Sequence, residues 1–400
     1  MNKRESGFTL IELLITMVIF ILVIAAGSQI FTGLLTQFKQ QSKIAETNIE
    51  GLVGLEILRQ DIEHTGYGLP WNITGVVDAD SDGNFWEHLA GYSEAVSTGS
   101  PDPANFNDAT RDIDGDANDG EAPRAILSDN NTGLNGSDYL VIKAINVARN
   151  ATSQKWTHLR FSNVLTAWTP DCENVNKNQD CSTNNNARVI VLAPGSTNAN
   201  GRSLVVSATG AFFTQYNNTA GFVPLEAVET HIVYGADTST DLIMPFNRAD
   251  YYIRSTNVPQ RCAPNTGILE KVVLNQADGR LTNFMPLLDC VADMQIVYLA
   301  DTNNDGTIDN NTDDIANLVD SNGNGVIDAQ EIREQVREVR VYILAHEGQY
   351  DSNYTYPNQV ITVGEFGMGS NFDLAATIGT NWQNYRWKTY TIVVNPNNLR

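Results

Sequence analysis

The segment 320–331 has the spacing of oxygen-bearing residues that a calcium loop requires. Calcium takes about six to eight oxygen ligands, which a twelve-residue loop supplies from its positions 1, 3, 5, 7, 9 and 12, with glycine at position 6 for the turn. Gly325 stands at position 6, and Glu331, a side chain suited to bidentate binding, at position 12. The other predicted ligands are Asp320, Asn322, Asn324, the backbone carbonyl of Val326, and Asp328. The sequence therefore predicts Ca²⁺ as a cofactor.

A second segment, 301–309, repeats the first nine positions of this pattern. Position 12 would be Thr312, so its last ligand must come from Asp313, Asp314 or elsewhere. Asp, Asn and Gly are also common turn formers, so a solvated acidic turn is the alternative at each segment. Shorter fragments of the pattern occur at 78–83 and 112–119. The ligands predicted in the second segment are Asp301, Asn303, Asp305, Thr307 and Asp309.

Glu12 is the single charged residue in the apolar run 8–38, and its position there requires an explanation. About 20 helical residues span the hydrocarbon core of a membrane, so the run is long enough to do so. Lys3 and Arg4 precede it and predict that the N-terminus stays in the cytoplasm while the rest of the chain lies outside. A carboxylate within such a segment costs about 2.5–3.5 kcal/mol on insertion scales, which indicates a partner or a function.

The residues GFTLIEL at 7–13 resemble the processing motif of type IV prepilins and pseudopilins. The resemblance implies that a prepilin peptidase cleaves after Gly7 and methylates the new amine on Phe8. Glu12 would then be the fifth residue of the mature chain and would pair with the N-terminal ammonium of a neighbouring subunit. A cleaved secretory signal ending near 25–27 and a plain signal anchor are alternatives, but both leave Glu12 unexplained.

Further segments, at 58–68, 287–298, 336–341 and 385–387, resemble PilW-type minor pilins. This resemblance implies a pilus subunit whose N-terminal helix contacts other minor and major pilins. It implies a precursor in the bacterial inner membrane and a mature protein on the pilus or cell surface, where it promotes initiation of pilus assembly, with the size of the head favouring the tip. A J-type minor pseudopilin of type II secretion and a calcium-dependent pilus-tip adhesin are the other functions considered.

The composition argues against an enzyme and against nucleic-acid binding. The five histidines are scattered, and no nucleophile elbow, phosphate loop or zinc-protease motif is present. With 47 acidic residues against 25 basic ones, the net charge is -22, and phosphate binding needs clustered Lys and Arg. The excess is local, because 78–129 holds 13 acidic and 2 basic residues and 301–331 holds 8 acidic and no basic residues. We therefore predict two acidic insertions at the surface.

Four cysteines are too few for a disulfide-built scaffold and suit two disulfides in an exported protein. Of the three possible connectivities, Cys172–Cys181 and Cys262–Cys290 are preferred. Free thiols are the alternative.

The fold class predicted is α+β, with a long N-terminal helix on a mostly antiparallel sheet. A leader occupies 1–7, a transmembrane and assembly half of the helix 8–38, an amphipathic half 39–66, and a β-rich head 71–400. Ile44, Leu52, Leu55, Leu58 and Ile62 form the predicted core-facing stripe of the helix, and Gly51 and Gly54 its close contacts with the sheet. The predicted strands are 139–144, 188–192, 203–207, 229–234, 250–255, 268–274, 294–299, 339–345 and 387–394.

Overall fold

The computed structural model describes residues 9–74, 89–99, 101–108, 122–169, 186–195, 202–321, 323 and 325–399. The helices are α1 (Leu10–Glu63), α2 (Ala329–Gln335) and α3 (Leu374–Thr377). The strands are β1 (Asn72–Thr74), β2 (Ile126–Asp129), β3 (Tyr139–Ala144), β4 (Trp156–Arg160), β5 (Val164–Leu165), β6 (Arg188–Ala193), β7 (Ser203–Val205), β8 (Thr214–Gln215), β9 (Thr230–Asp237), β10 (Asn247–Arg254), β11 (Gly267–Leu274), β12 (Leu281–Ala300), β13 (Asn310–Thr312), β14 (Val336–Glu347), β15 (Val360–Val363), β16 (Ser370–Asp373) and β17 (Arg386–Val394).

Within the described residues, the strands form two large sheets and one hairpin. The larger sheet has eight strands in the order β17-β14-β12-β11-β10-β3-β2, with β13 beside β12. The second has seven, in the order β1-β7-β6-β9-β4-β5, with β8 beside β6. All pairs are antiparallel except β1 with β7. The predicted fold class is confirmed: a long apolar N-terminal helix is joined to a mostly antiparallel β head.

The C-terminal part of α1 packs on the eight-stranded sheet. Leu55, Leu58 and Ile62 are buried against residues of that sheet. A Cβ atom on Gly54 would lie 1.9 Å from the backbone oxygen of Leu287, and one on Gly51 would lie 2.8 Å from a methyl group of Leu288. Since real Cβ contacts are far longer, both glycines allow the helix to lie directly on β12, as predicted.

Two parts of the helix prediction need correction. Leu52 was expected in the core-facing stripe but is 64% exposed, because it lies one residue, or about 100° of helix rotation, beyond Gly51, which touches the sheet. The helix ends at Glu63 rather than at 66. The next residues leave the helical conformation, with Gly66 and Gly68 at φ +78° and +65°, values that favour glycine.

The prediction that 78–129 lies at the surface holds for some of its described residues, such as the exposed Val96, and is wrong for others. Phe106 is buried and stacks on Tyr139 at 5.0 Å between ring centroids. Glu94 and Asp108, two of the acidic residues of this segment, are also buried, and both form ion pairs with Lys143 of β3. The acidic residues therefore include charges that neutralise buried bases, which composition alone does not distinguish from a solvated loop.

The single predicted sheet also divides in two. β6 and β9 pair with each other and belong to the second sheet, not to the sheet under α1. Both faces of this second sheet are apolar, with Ile190 and Leu192 on one side and Val189 and Val191 on the other. Strands buried on both faces give nearly continuous apolar runs, so their sequence does not reveal which sheet they join.

Candidate functional site: the N-terminal helix and the acidic loops

The first part of α1 lies apart from the head. The stretch Leu10–Ala45 is long and apolar enough to cross a membrane, and its most apolar window is not buried in the protein. Leu10, Phe20 and Phe31, for example, are between 65% and 82% exposed. Water-exposed apolar surface of this size is unfavourable, so this half of the helix requires lipid or protein around it.

Glu12 lies in the first turn of this segment, where Thr9 caps the helix. The backbone N–H and the hydroxyl of Thr9 both donate to Oε2 of Glu12 at 2.9 Å, and the Glu12 N–H lies 3.4 Å from Oγ1 of Thr9. This reciprocal arrangement is a capping box. A carboxylate at a helix N-terminus is favoured by the helix dipole. Both bonds use Oε2, so Oε1 makes no hydrogen bond with the described residues. Gly7 and Phe8, the predicted processing residues, lie outside the described residues.

The other half of α1 is fixed to the head by a buried carboxylate that the sequence analysis did not single out. Asp61 Oδ2 accepts from Lys271 Nζ at 2.6 Å and from the hydroxyl of Tyr251 at 2.7 Å. Its Oδ1 accepts from Arg149 Nη2 at 3.0 Å. Burial raises the pKa of Tyr251 well above its usual value, which keeps its O–H as a donor. The one sequence signal for this contact is the presence of an acidic residue within the apolar face of the helix.

The predicted loop 320–331 folds around its own carboxylates. Asp320 accepts backbone N–H groups of Gly323 at 2.6 Å and Gly325 at 2.8 Å. Glu331, buried, accepts from Ser321 through Oε1 and from Asp328 N at 3.2 Å through Oε2. α2 begins directly after the cap Asp328, so it fixes Glu331 in the first turn. Of the remaining predicted ligands, Asn322 and Asn324 lie outside the described residues.

In the loop 301–309 the first carboxylate already has a positive partner. Asp301 is fully buried, and its Oδ2 accepts from Arg337 Nη2 at 2.8 Å and Nε at 3.0 Å. Its oxygens also accept the N–H groups of Asp305 at 3.1 Å and Gly306 at 2.9 Å. Asp309 Oδ1 accepts the backbone N–H of Thr302 at 2.9 Å. Asn303 Oδ1 accepts from Asp305 N at 3.0 Å, and Thr307 donates its N–H to Asp305 at 2.8 Å.

Among the described residues, neither loop brings three carboxylates together. In the part of the chain that the structure describes, one group of three metal-ligating side chains has its ligand atoms within 4.8 Å of one another, and it consists of Cys262, Cys290 and His346. Its two cysteines form a disulfide with an S–S length of 1.97 Å, so the sulfurs are not free to bind a metal. The pairing Cys262–Cys290 matches the preferred connectivity. Cys172 and Cys181 lie outside the described residues.

The comparison with known families bears on the N-terminus. A family model described as the prokaryotic N-terminal methylation motif matches residues 2–28. The N-terminal segment of the chain is type IV prepilin-like. The match covers the leader and the beginning of α1, including Glu12, and the apolar part of α1 agrees with membrane anchoring of such a protein.

The other comparisons give less information on the prepilin-like protein than the family model does. No curated protein matches the chain. Among solved structures, a type IV-like pilin from Thermus thermophilus is 13% identical, with a TM-score of 0.19. The match covers 38% of this chain and 66% of that pilin. A TM-score this low gives no basis for comparing the two heads in detail.

Proposed function

We propose that this prepilin-like protein is a minor pilin of a type IV pilus that promotes the initiation of pilus assembly. The observation that carries the proposal is that the two halves of α1 differ. The N-terminal half follows a methylation-type leader and exposes apolar side chains, whereas the C-terminal half packs on the head. Prepilin peptidase would cleave after Gly7, the amine of Phe8 would be methylated, and the apolar half would pass from the inner membrane into the fibre. Glu12 would pair with the N-terminal ammonium of a neighbouring subunit.

A position at the tip of the fibre suits the size of the head. The head contains two large sheets, one of which packs on α1, and the predicted leader accounts for only seven residues of the chain. Subunits stacked along a shaft share a close axial repeat, in which a head of this size would collide with its neighbours. At the tip no subunit lies above it.

We also propose that the head binds Ca²⁺ in the loop 320–331. Asp320 and Glu331, from its two ends, both direct carboxylate oxygens at N–H groups within the loop, and α2 fixes the second of them. Calcium would bind to these carboxylate oxygens. The loop 301–309 is the weaker candidate, because Arg337 already neutralises Asp301. Outside the cytoplasm calcium is abundant enough to fill sites with dissociation constants of about 10⁻⁴–10⁻³ M.

Deletion of the gene in its native host tests the function. The proposal predicts the loss of surface fibres in electron micrographs. Normal fibres with lost attachment would instead support the adhesin, and failed protein secretion with intact pili would support the pseudopilin. Either result would overturn the assembly role.

A point variant tests whether the charge of Glu12 is required for incorporation into the fibre. Glu12→Gln removes the charge but keeps the size, so we expect the protein to accumulate in the membrane and to be missing from sheared fibres. Glu56→Gln is the matched control, since Glu56 is exposed on the same helix and pairs only locally, with Arg59 at 2.8 Å and Gln60 at 3.1 Å. Equal incorporation of both variants would contradict the proposed pairing.

A further inference from the structure

A cavity of about 540 Å³ lies between the loop 301–309 and α2, with Trp71 forming part of its wall. This volume is within the range of small-molecule sites. The loop contributes Asn304 and Asp305, and α2 contributes Gln330, Arg333 and Glu334. The lining therefore combines these polar and charged side chains with the indole of Trp71 and the side chain of Leu399, and none of these side chains has a role in the proposed assembly function.

The guanidinium of Arg333 lacks a hydrogen-bond partner in this cavity. Its Cζ lies 4.7 Å from the ring centroid of Trp71, but it makes no hydrogen bond or ion pair with any described residue. Asp328 and Glu334 attract it only at longer range. A guanidinium carries five N–H donors, so Arg333 can donate to an anion that enters the cavity.

The neighbouring arginines show that this situation is specific to Arg333. Arg337 donates to Asp301 and to Asn304, the latter at 2.8 Å. Arg202, whose Cζ lies 4.5 Å from the Trp71 ring, donates to the carbonyl of Gly66 at 3.1 Å. Arg333 alone of the three presents its donors to the cavity without an acceptor among the described residues.

We propose that the cavity binds an acidic sugar, with the carboxylate of a hexuronate paired to Arg333. A planar guanidinium binds a carboxylate through two parallel hydrogen bonds. The other lining groups suit hydroxyls, because Asp305 and Glu334 accept hydrogen bonds and the amides of Asn304 and Gln330 both donate and accept. The proposal does not depend on the role in pilus assembly.

Titration calorimetry of the full-length protein in detergent tests the proposal, with oligomers of galacturonate as the probe. We expect the galacturonate oligomer to bind at least about 10-fold more tightly than a neutral galactose oligomer of the same length. Arg333→Gln should weaken binding by about 10- to 100-fold. Arg333→Lys should weaken binding less, since a lysine keeps the positive charge but cannot form two parallel hydrogen bonds to the carboxylate.

Two further variants test whether a loss of binding comes from a general loss of structure or of positive charge. Asn304→Asp adds a negative charge to the cavity wall while keeping an acceptor for Arg337, and it should also weaken binding. Arg280→Gln removes a positive charge from an exposed position outside the cavity and should leave binding unchanged. Equal affinity for the neutral oligomer, or wild-type affinity in both Arg333→Gln and Asn304→Asp, would overturn the proposal. Equally tight binding of an acidic peptide would overturn the assignment to a sugar.

Discussion

At the scale of single residues, the acidic side chains of this chain have different partners although their sequence context is similar. Asp301 and Asp320 both begin a predicted calcium loop, yet Asp301 accepts from Arg337, whereas Asp320 accepts the N–H groups of Gly323 and Gly325. A residue's position in a motif predicts which ligands a metal could use. The position does not predict whether a distant arginine lies against the same oxygen.

Glu331 provides the test of the proposed calcium site. At free calcium about 100-fold above its dissociation constant, bound metal stabilises a fold by about 2.7 kcal/mol. We expect a chelator to lower the melting temperature of the wild type and Glu331→Gln to lose most of this response. Glu334→Gln, three residues further along α2 and exposed, should keep it. An unchanged melting temperature on chelation, measured by calorimetry, would refute the site.

His346 predicts a pH dependence of stability. Burial lowers its pKa to about 3, below the value of about 6.5 in an unfolded chain. As the pH falls below 6.5 the unfolded state binds a proton that the folded state does not, so stability is lost between about pH 6.5 and 3. The slope is about 1.4 kcal/mol per pH unit, or about 2 kcal/mol at pH 5.

The measurement compares urea unfolding of the wild type and His346→Gln at pH 5 and 7.5. Glutamine keeps an acceptor for the N–H of Ala263, which donates to His346 at 2.8 Å. Burial raises the pKa of Asp138 to about 7, which acts in the opposite direction over part of this range, so the difference between the two proteins is the informative quantity. His64→Gln, at an exposed histidine, is the control. The same pH dependence in the wild type and His346→Gln would contradict the account.

At the scale of elements, α1 is one continuous helix with two environments. Its first part presents apolar side chains to the surroundings, and its second part is fixed to β12 by two glycines and to β10 and β11 through Asp61. The sequence predicted both parts from periodicity, because a membrane segment is apolar all round and a packed helix on one face only. It could not predict Asp61, since its partners are distant in sequence.

Two glycine substitutions in α1 separate these environments. Gly54→Ala places a methyl group against the backbone of Leu287 and should destabilise the head by about 1–3 kcal/mol. Gly33→Ala has no atom within 4 Å of the new Cβ and replaces a poor helix former with a good one, so the head should lose no stability. Thermal unfolding of both proteins in detergent is the measurement. Equal effects would show that α1 does not lie on β12 as described.

At the scale of the whole molecule, the sequence predicted the fold class but not the arrangement of the head. The nine predicted strands are all present, with boundaries shifted by a few residues and much longer for β12. Their division between two sheets depends on pairing across the chain, which periodicity does not encode. The sequence did not predict the buried part of 78–129, because the acids Glu94 and Asp108 cannot be distinguished from solvated acids until the lysine they pair with is known.

The net charge of -22 is the excess of acids that remains after every base is counted. Acids that pair with buried bases do not add to this excess, and the loops at 301–331 contribute 8 acidic residues and no basic one. In the proposed calcium-bound state the folded head would carry less negative charge than its composition suggests. The net charge therefore describes the proposed metal site as well as the surface.

The central claim is that this prepilin-like chain is processed after Gly7 and enters a fibre through α1. Mass spectrometry of the N-terminal peptide, from protein recovered in sheared surface fibres of the native host, tests it most directly. The account predicts a peptide that begins with N-methylated Phe8 and contains Glu12. A peptide that begins at Met1, or one produced by cleavage near residues 25–27, would contradict it.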